Sequence, residues 1–217
     1  MRDRFEKQLF ELNTELIAMG ALCENAIDSV CKAFIRGDLK LCDEAISLEK
    51  QIDEMEQKVE ALCLRLLLSQ QPVARDLRQV SAALKMITDM ERIGDQASDI
   101  AEIVVYLPEP ERRPEQRHIR EMAKAAETMV HMSIEAFVSR DLTLAVRVIE
   151  SDDTVDTLFR EVRQELINLI ADDRESGEMA MDLLMTAKYF ERIGDHAVNI
   201  AEWVEYAITG IHRRDGQ

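Results

Sequence analysis

The chain has 217 residues, and 27 Lys and Arg stand against 43 Asp and Glu, a formal net charge of −16 at pH 7. That charge argues against wrapping nucleic acid or docking directly on anionic lipid, since both are negative themselves; it suits soluble behaviour and the binding of cations. Hydrophobic residues make up 47% of the chain, enough for a core, while only 7 glycines, 4 prolines and 5% aromatics speak against a turn-rich β protein.

Good helix formers dominate, so long helices with few connections are expected. The first is read from Asp3 to Ile35, ending at Gly37-Asp38, where Gly suits a helix C-terminus and Asp the next N-terminus. The second runs from Asp38 to Ser69 and is broken by Gln70-Gln71-Pro72. The third covers Val73 to Leu107. Pro108 to Pro114 then holds three of the four prolines and reads as a linker. The fourth helix spans Glu115 to Ser139, with Arg140-Asp141 in the place of Gly37-Asp38. The fifth runs from Asp141 to Ala171, a polar turn covers Asp172 to Gly177, and the sixth spans Glu178 to Thr209 before a short tail. A helix of about 32 residues is about 48 Å long at 1.5 Å per residue.

The two halves repeat one another. Glu91-Arg92-Ile93-Gly94-Asp95 recurs 100 residues later as Glu191-Arg192-Ile193-Gly194-Asp195, followed by Ala97/Ala197, Ile100/Ile200, Ala101/Ala201 and Glu102/Glu202. Asp38-Leu39 likewise matches Asp141-Leu142, Glu49 matches Asp152, and Asp53 matches Asp156. The expected architecture is therefore all-α: two pseudo-symmetric three-helix bundles, residues 1–107 and 115–217, joined by the linker 108–114.

Four acid-x-x-x-Asp pairs stand at equivalent places: Glu49 and Asp53, Glu91 and Asp95, Asp152 and Asp156, Glu191 and Asp195. Each flanks an apolar stripe, such as Ala83, Ile87, Met90, Ala97, Ala101 and Val104 in the third helix. A short turn makes consecutive helices antiparallel neighbours, so two pairs converge in each bundle. Two carboxylates about 4 Å apart repel by roughly 4 kcal/mol at an effective dielectric of 20. Such a patch calls for protonation, an arginine partner or a cation, and oxygen ligands favour hard cations such as magnesium, calcium, manganese or ferric iron. One polynuclear metal site per bundle is the expectation, against the plainer reading of surface acids paired with Lys and Arg.

Other signals are weaker. Gly94 and Gly194 lie inside helices, which points to close helix approach or to room beside the acids. Arg92 and Arg192 stand ready to pair with those acids. Cys23, Cys31, Cys42 and Cys63 lack zinc spacing and read as buried, reduced thiols. Met179, Met181 and Met185 read as core. Glu115-x-x-His118 is half of a di-iron motif that occurs once. No nucleotide-binding loop or nucleophile motif is present, no apolar N-terminal segment suggests secretion, and no apolar run is long enough to span a membrane. The chain therefore reads as cytoplasmic and non-enzymatic.

With its duplicated plan, its two copies of E-R-I-G-D, and Ile100-Ala101-Glu102 beside Asn199-Ile200-Ala201-Glu202, the sequence resembles the PhoU family over essentially its whole length. The resemblance implies a cytoplasmic regulator of phosphate uptake, acting negatively on the phosphate response. It implies contact with the ATPase subunit of the phosphate ABC transporter and with a sensor histidine kinase, a homodimer, and membrane association only through those partners. It further implies multinuclear iron, or another metal such as manganese, magnesium or zinc, on the acid-x-x-x-Asp motifs. Asp99 adds a candidate ligand in the first half, where the second has Asn199. The net charge favours sensing phosphate through partners rather than directly. A di-metal carboxylate oxidase or iron-storage bundle, and a purely structural scaffold, are the competing readings.

Overall fold

The computed structural model describes residues 2–69, 74–114 and 116–211. Six long helices account for most of it: α1 Arg2–Arg36, α2 Leu39–Ser69, α3 Ala74–Val104, α4 Arg117–Ser139, α5 Leu142–Asp172 and α6 Gly177–Thr209. Single 3-10 turns at Pro110–Arg112 and Arg174–Ser176 complete the described elements, and no strand occurs among them.

The helix ends follow local chemistry. Gly37 takes a left-handed φ of 66°, and its N–H reaches Ala33 O at 2.8 Å. Arg140 does the same job in the second repeat at φ 58°, while Asp141 N–H reaches Ala136 O at 3.0 Å. A side chain in that region costs roughly 1–2 kcal/mol that glycine avoids. Asp141 Oδ1 then accepts from Leu144 N at 3.0 Å and caps α5.

Several expected boundaries shift by one to three residues. α3 stops at Val104 rather than Leu107, because Tyr106 and Leu107 turn back onto Ile103 O and Val104 O with i→i+3 bonds before Pro108. α4 begins at Arg117 rather than Glu115. α5 extends to Asp172, and Asp173 accepts from Glu175 N at 3.0 Å and Ser176 Oγ at 2.7 Å, which shapes the turn into α6. The expected break at Gln70–Pro72, Glu115 and the tail from His212 lie outside the described residues.

Within each repeat the three helices pack on one another: α1, α2 and α3 in the first, α4, α5 and α6 in the second. The repeats meet through two seams, α1 against α4 and α3 against α6. Both seams are antiparallel. Glu24 meets His131 while Gly20 meets Ile134, and Arg78 meets Gly210 while Asp89 meets Asn199. A pseudo-dyad normal to the α3–α6 pair thus exchanges the repeats and keeps α2–α3 and α5–α6 on the same face. The expected stripes are inside: Ala83, Ile87, Met90, Ala97, Ala101 and Val104 are all buried, as are Ile52 and Val59 of α2 and Phe190 of α6.

The proline segment is clamped. Arg113 donates from Nε to Pro108 O at 2.5 Å and from Nη1 to Phe34 O at 2.6 Å, with its guanidinium over the Phe34 ring. All four cysteines are free; Cys23, Cys42 and Cys63 are buried, but Cys31 is only half-buried. Only one of the three methionines expected in the core of α6 is there. Met179 packs on the core, whereas Met181 and Met185 are exposed. No described helix is long and apolar enough to cross a membrane.

Candidate metal centres in two carboxylate grooves

The i,i+4 spacing sets each acid pair on one side of its helix, at the edge of the buried stripe. In the first repeat α2 and α3 bring these edges together. One oxygen each from Glu49, Asp53 and Asp95 lie within 4.8 Å of one another. Glu91 stands one turn before Asp95, and burial followed by the Asp95 charge pushes its carboxyl up. Burial, then Asp53 and Asp95, do the same to Glu49. Arg92 answers part of this charge from the rim, with Nη1 2.8 Å from Asp95 Oδ2 and Nε 3.3 Å from Glu91 Oε2. Gly94 explains the approach: a Cβ there would sit 3.0 Å from Ile52 Cδ1, so a larger residue would hold α2 and α3 apart.

The second groove joins Asp152 and Asp156 of α5 to Glu191 and Asp195 of α6. Burial, then Asp195, Asp156 and Glu191, push the Asp152 carboxyl up to about 6. Its Oδ1 is buried with no hydrogen-bond partner. Gly194 leaves room beside it, since a Cβ would lie 3.8 Å from that oxygen. Asp195 is also pushed up, by burial and then by Glu191, with Lys188 and His196 opposing. Lys188 pairs with Glu191, and its ammonium lies over the Phe159 ring. The grooves are therefore not equal. Among the described residues only the first gathers three carboxylate oxygens within 4.8 Å, while the second has Lys188 beside its acids and an exposed Asp156.

Asp99 does not join its group. It lies about 80° around α3 from Glu91 at 100° per residue, which turns it toward α6 rather than α2. There it accepts a hydrogen bond from Tyr189 and lies near Arg192. Its counterpart Asn199 mirrors this by donating from Nδ2 to Asp89 Oδ1 at 3.0 Å, where His196 Nδ1 also lies at 2.9 Å. Arg192 likewise stacks on Tyr189 instead of copying Arg92. His118 contacts Glu165 and Glu161 of α5, away from both grooves. Asp89, Lys188 and Tyr189 join these contacts without a motif of their own; the repeat offers the one signal, since Asp89 is equivalent to Tyr189 in the two halves.

The donor set fits a hard cation. Metal–oxygen distances of about 2.0–2.6 Å allow ligand oxygens up to roughly 5 Å apart, and the first groove meets that condition. The unpartnered Asp152 Oδ1 supplies the same need in the second groove.

Fold and site together define an internally duplicated all-α protein with one carboxylate groove per repeat. The PhoU domain model matches residues 16–104 and again 119–204, and the chain belongs to the PhoU family. It is 35% identical over 210 residues to the phosphate-specific transport system accessory protein PhoU homolog of Clostridium acetobutylicum, covering 96% of each chain. It is 36% identical over 186 residues to the homolog of Aquifex aeolicus, covering 86% of this chain and 84% of that one. The crystal structure of PhoU from Pseudomonas aeruginosa superposes with a TM-score of 0.89 at 32% identity, covering 95% of this chain and all of that one. The phosphate transport system regulatory protein PhoU from Streptococcus pneumoniae gives 0.89 at 26% identity, covering 96% and 98%.

Proposed function

We propose that this chain is a cytoplasmic, non-enzymatic regulator of phosphate uptake that links the phosphate ABC transporter to a sensor histidine kinase and restrains both. The family membership, spanning both repeats, carries this reading; relatives at this similarity bear the name of phosphate transport accessory proteins. The protein works by contact: transporter state, read through the ATPase subunit, decides whether the kinase is held. A homodimer is the working unit, and the membrane is reached only through partners. Metal ions in the two grooves, iron or another hard cation, offset the repulsion among Glu49, Asp53, Glu91 and Asp95 and among Asp152, Asp156, Glu191 and Asp195. They thereby set the shape of the α3–α6 face.

Co-purification with the ATPase subunit and the cognate kinase at high and low phosphate tests the reading. Capture of both, with a phosphate-dependent change in the ratio, is the expected result. Failure to bind either partner at both phosphate levels would refute it.

A further inference from the structure

Three arginines converge at the end of the molecule opposite the proline linker. Arg75 and Arg78 come from the first turns of α3, and Arg140 from the turn between α4 and α5. Arg140 Nη1 lies 3.4 Å from Oε1 of the buried Gln79. The Arg78 guanidinium lies against the end of α6, with Cζ, Nε and Nη1 each 3.5 Å from where a Cβ of Gly210 would sit. Arg78 Nε is buried and has no hydrogen-bond partner.

Among the described residues, little nearby charge answers these three cations. Burial pushes the Arg140 guanidinium below the ordinary arginine range, Arg75 and Arg78 push it the same way, and Asp76 opposes. Asp141 is already engaged in capping α5. The C-terminus of α6 offers only about half a negative charge. The backbone supplies a further clue. Arg140 is the one described non-glycine residue at positive φ, where the first repeat has Gly37. Glycine would serve the turn better, so the conformation is tolerated with a guanidinium held in this position. The pseudo-dyad places Gly37 and Glu178 at the equivalent points, so the cluster exists at one end only.

We propose that Arg78 and Arg140, with Arg75 at the rim, form a binding site for a phosphate group, either free inorganic phosphate or a phosphoryl group carried on another molecule. Guanidinium forks match tetrahedral oxyanions with paired N–H donors and keep their charge throughout the working pH range. The chain's acidity is no barrier. Asp95 lies about 25 Å along α3 from Arg78 at 1.5 Å per residue, well beyond the Debye length of about 8 Å at physiological ionic strength. The choice of phosphate among oxyanions rests on the proposed role in phosphate regulation; the convergence of the arginines does not.

The test is calorimetric titration of inorganic phosphate into the full-length protein in the presence of a chelator, with sulfate and phosphoserine as parallel titrants. Arg140→Gly keeps the left-handed turn while removing the guanidinium, and Arg78→Gln removes the second fork. Saturable phosphate binding, weakened at least tenfold by each substitution and unchanged in Asp28→Asn, which removes an exposed acid of α1 paired with Lys32, is expected. Tighter binding of inorganic phosphate supports the free ion, and tighter binding of phosphoserine supports a carried phosphoryl group. No saturable binding by the wild type overturns the site, as does binding unchanged in Arg140→Gly, loss in Asp28→Asn, or sulfate bound as tightly. A wild type that binds no phosphate yet still captures the transporter ATPase overturns this site alone and leaves the regulatory reading standing.

Discussion

Among the described carboxylates, Asp152 is the one pushed furthest from its ordinary range. Its folded pKa of about 6 exceeds the ordinary 3.8, with burial the first cause. Ionising it therefore costs more in the folded protein than in the unfolded one. That penalty is absent below the unfolded pKa, grows as pH rises between the two values, and is complete above the folded one. Allowing for its partial solvent access, it is on the order of 1 kcal/mol at pH 7. Asp152→Asn is expected to raise the melting temperature of chelated protein at pH 7 by about 2–4 °C. The same substitution should abolish much of the melting-temperature gain that added metal gives the wild type. A variant that melts lower than wild type in chelator would mean that the carboxylate already has a partner there. The eight paired acids were legible from sequence because they repeat at fixed spacing beside apolar stripes. The surroundings of Asp99 were not legible, because sequence shows that a helix edge is polar, not whether that edge faces α2 or α6.

At the scale of the helix, identical motifs sit in different surroundings. Gly94 and Gly194 occupy the same place in E-R-I-G-D, yet a Cβ at Gly94 meets Ile52 Cδ1 at 3.0 Å, whereas at Gly194 the nearest atom is Val155 Cγ1 at 3.6 Å. Alanine gains about 1 kcal/mol over glycine inside a helix when nothing opposes it. Gly194→Ala should therefore stabilise the chelated protein by about that amount in urea unfolding. Gly94→Ala should gain nothing, since the methyl must displace Ile52, and it should also pull Asp95 away from Asp53 and weaken metal binding in the first groove. Equal gains at both positions would contradict the asymmetry. The helices themselves were readable from Gly37-Asp38, Asp141 and the prolines. The ends of α3 and α5 were not, because the turns at Tyr106–Leu107 and Arg174–Ser176 come before Pro108 and Gly177, so each punctuating residue marks the end of a turn rather than the end of a helix.

For the whole molecule, a charge of −16 means that salt should help the folded state by screening self-repulsion. If the grooves select hard cations, magnesium or manganese should raise the melting temperature of chelated protein more than sodium chloride at equal ionic strength. Asp53→Asn should remove most of that surplus, leaving the general salt effect intact. Equal effects of monovalent and divalent salt would reduce the grooves to ordinary acidic surface. The duplication was plain in the sequence, but the seams were not: a repeat tells which residues are equivalent, and nothing about how equivalent faces meet. Those seams have a consequence for how the halves diverge. Contacts related by a dyad are isologous, as in a two-fold dimer, where any substitution is made twice. Here the clamped segment from Pro108 to Pro114 ties the two sides into one chain and holds them at high effective concentration. Each half is thus free to lose a seam contact that a true dimer would have to keep on both sides. Asn199 opposite Asp99, Lys188 in only one groove, and Arg140 where the first half keeps Gly37 are the marks of that freedom.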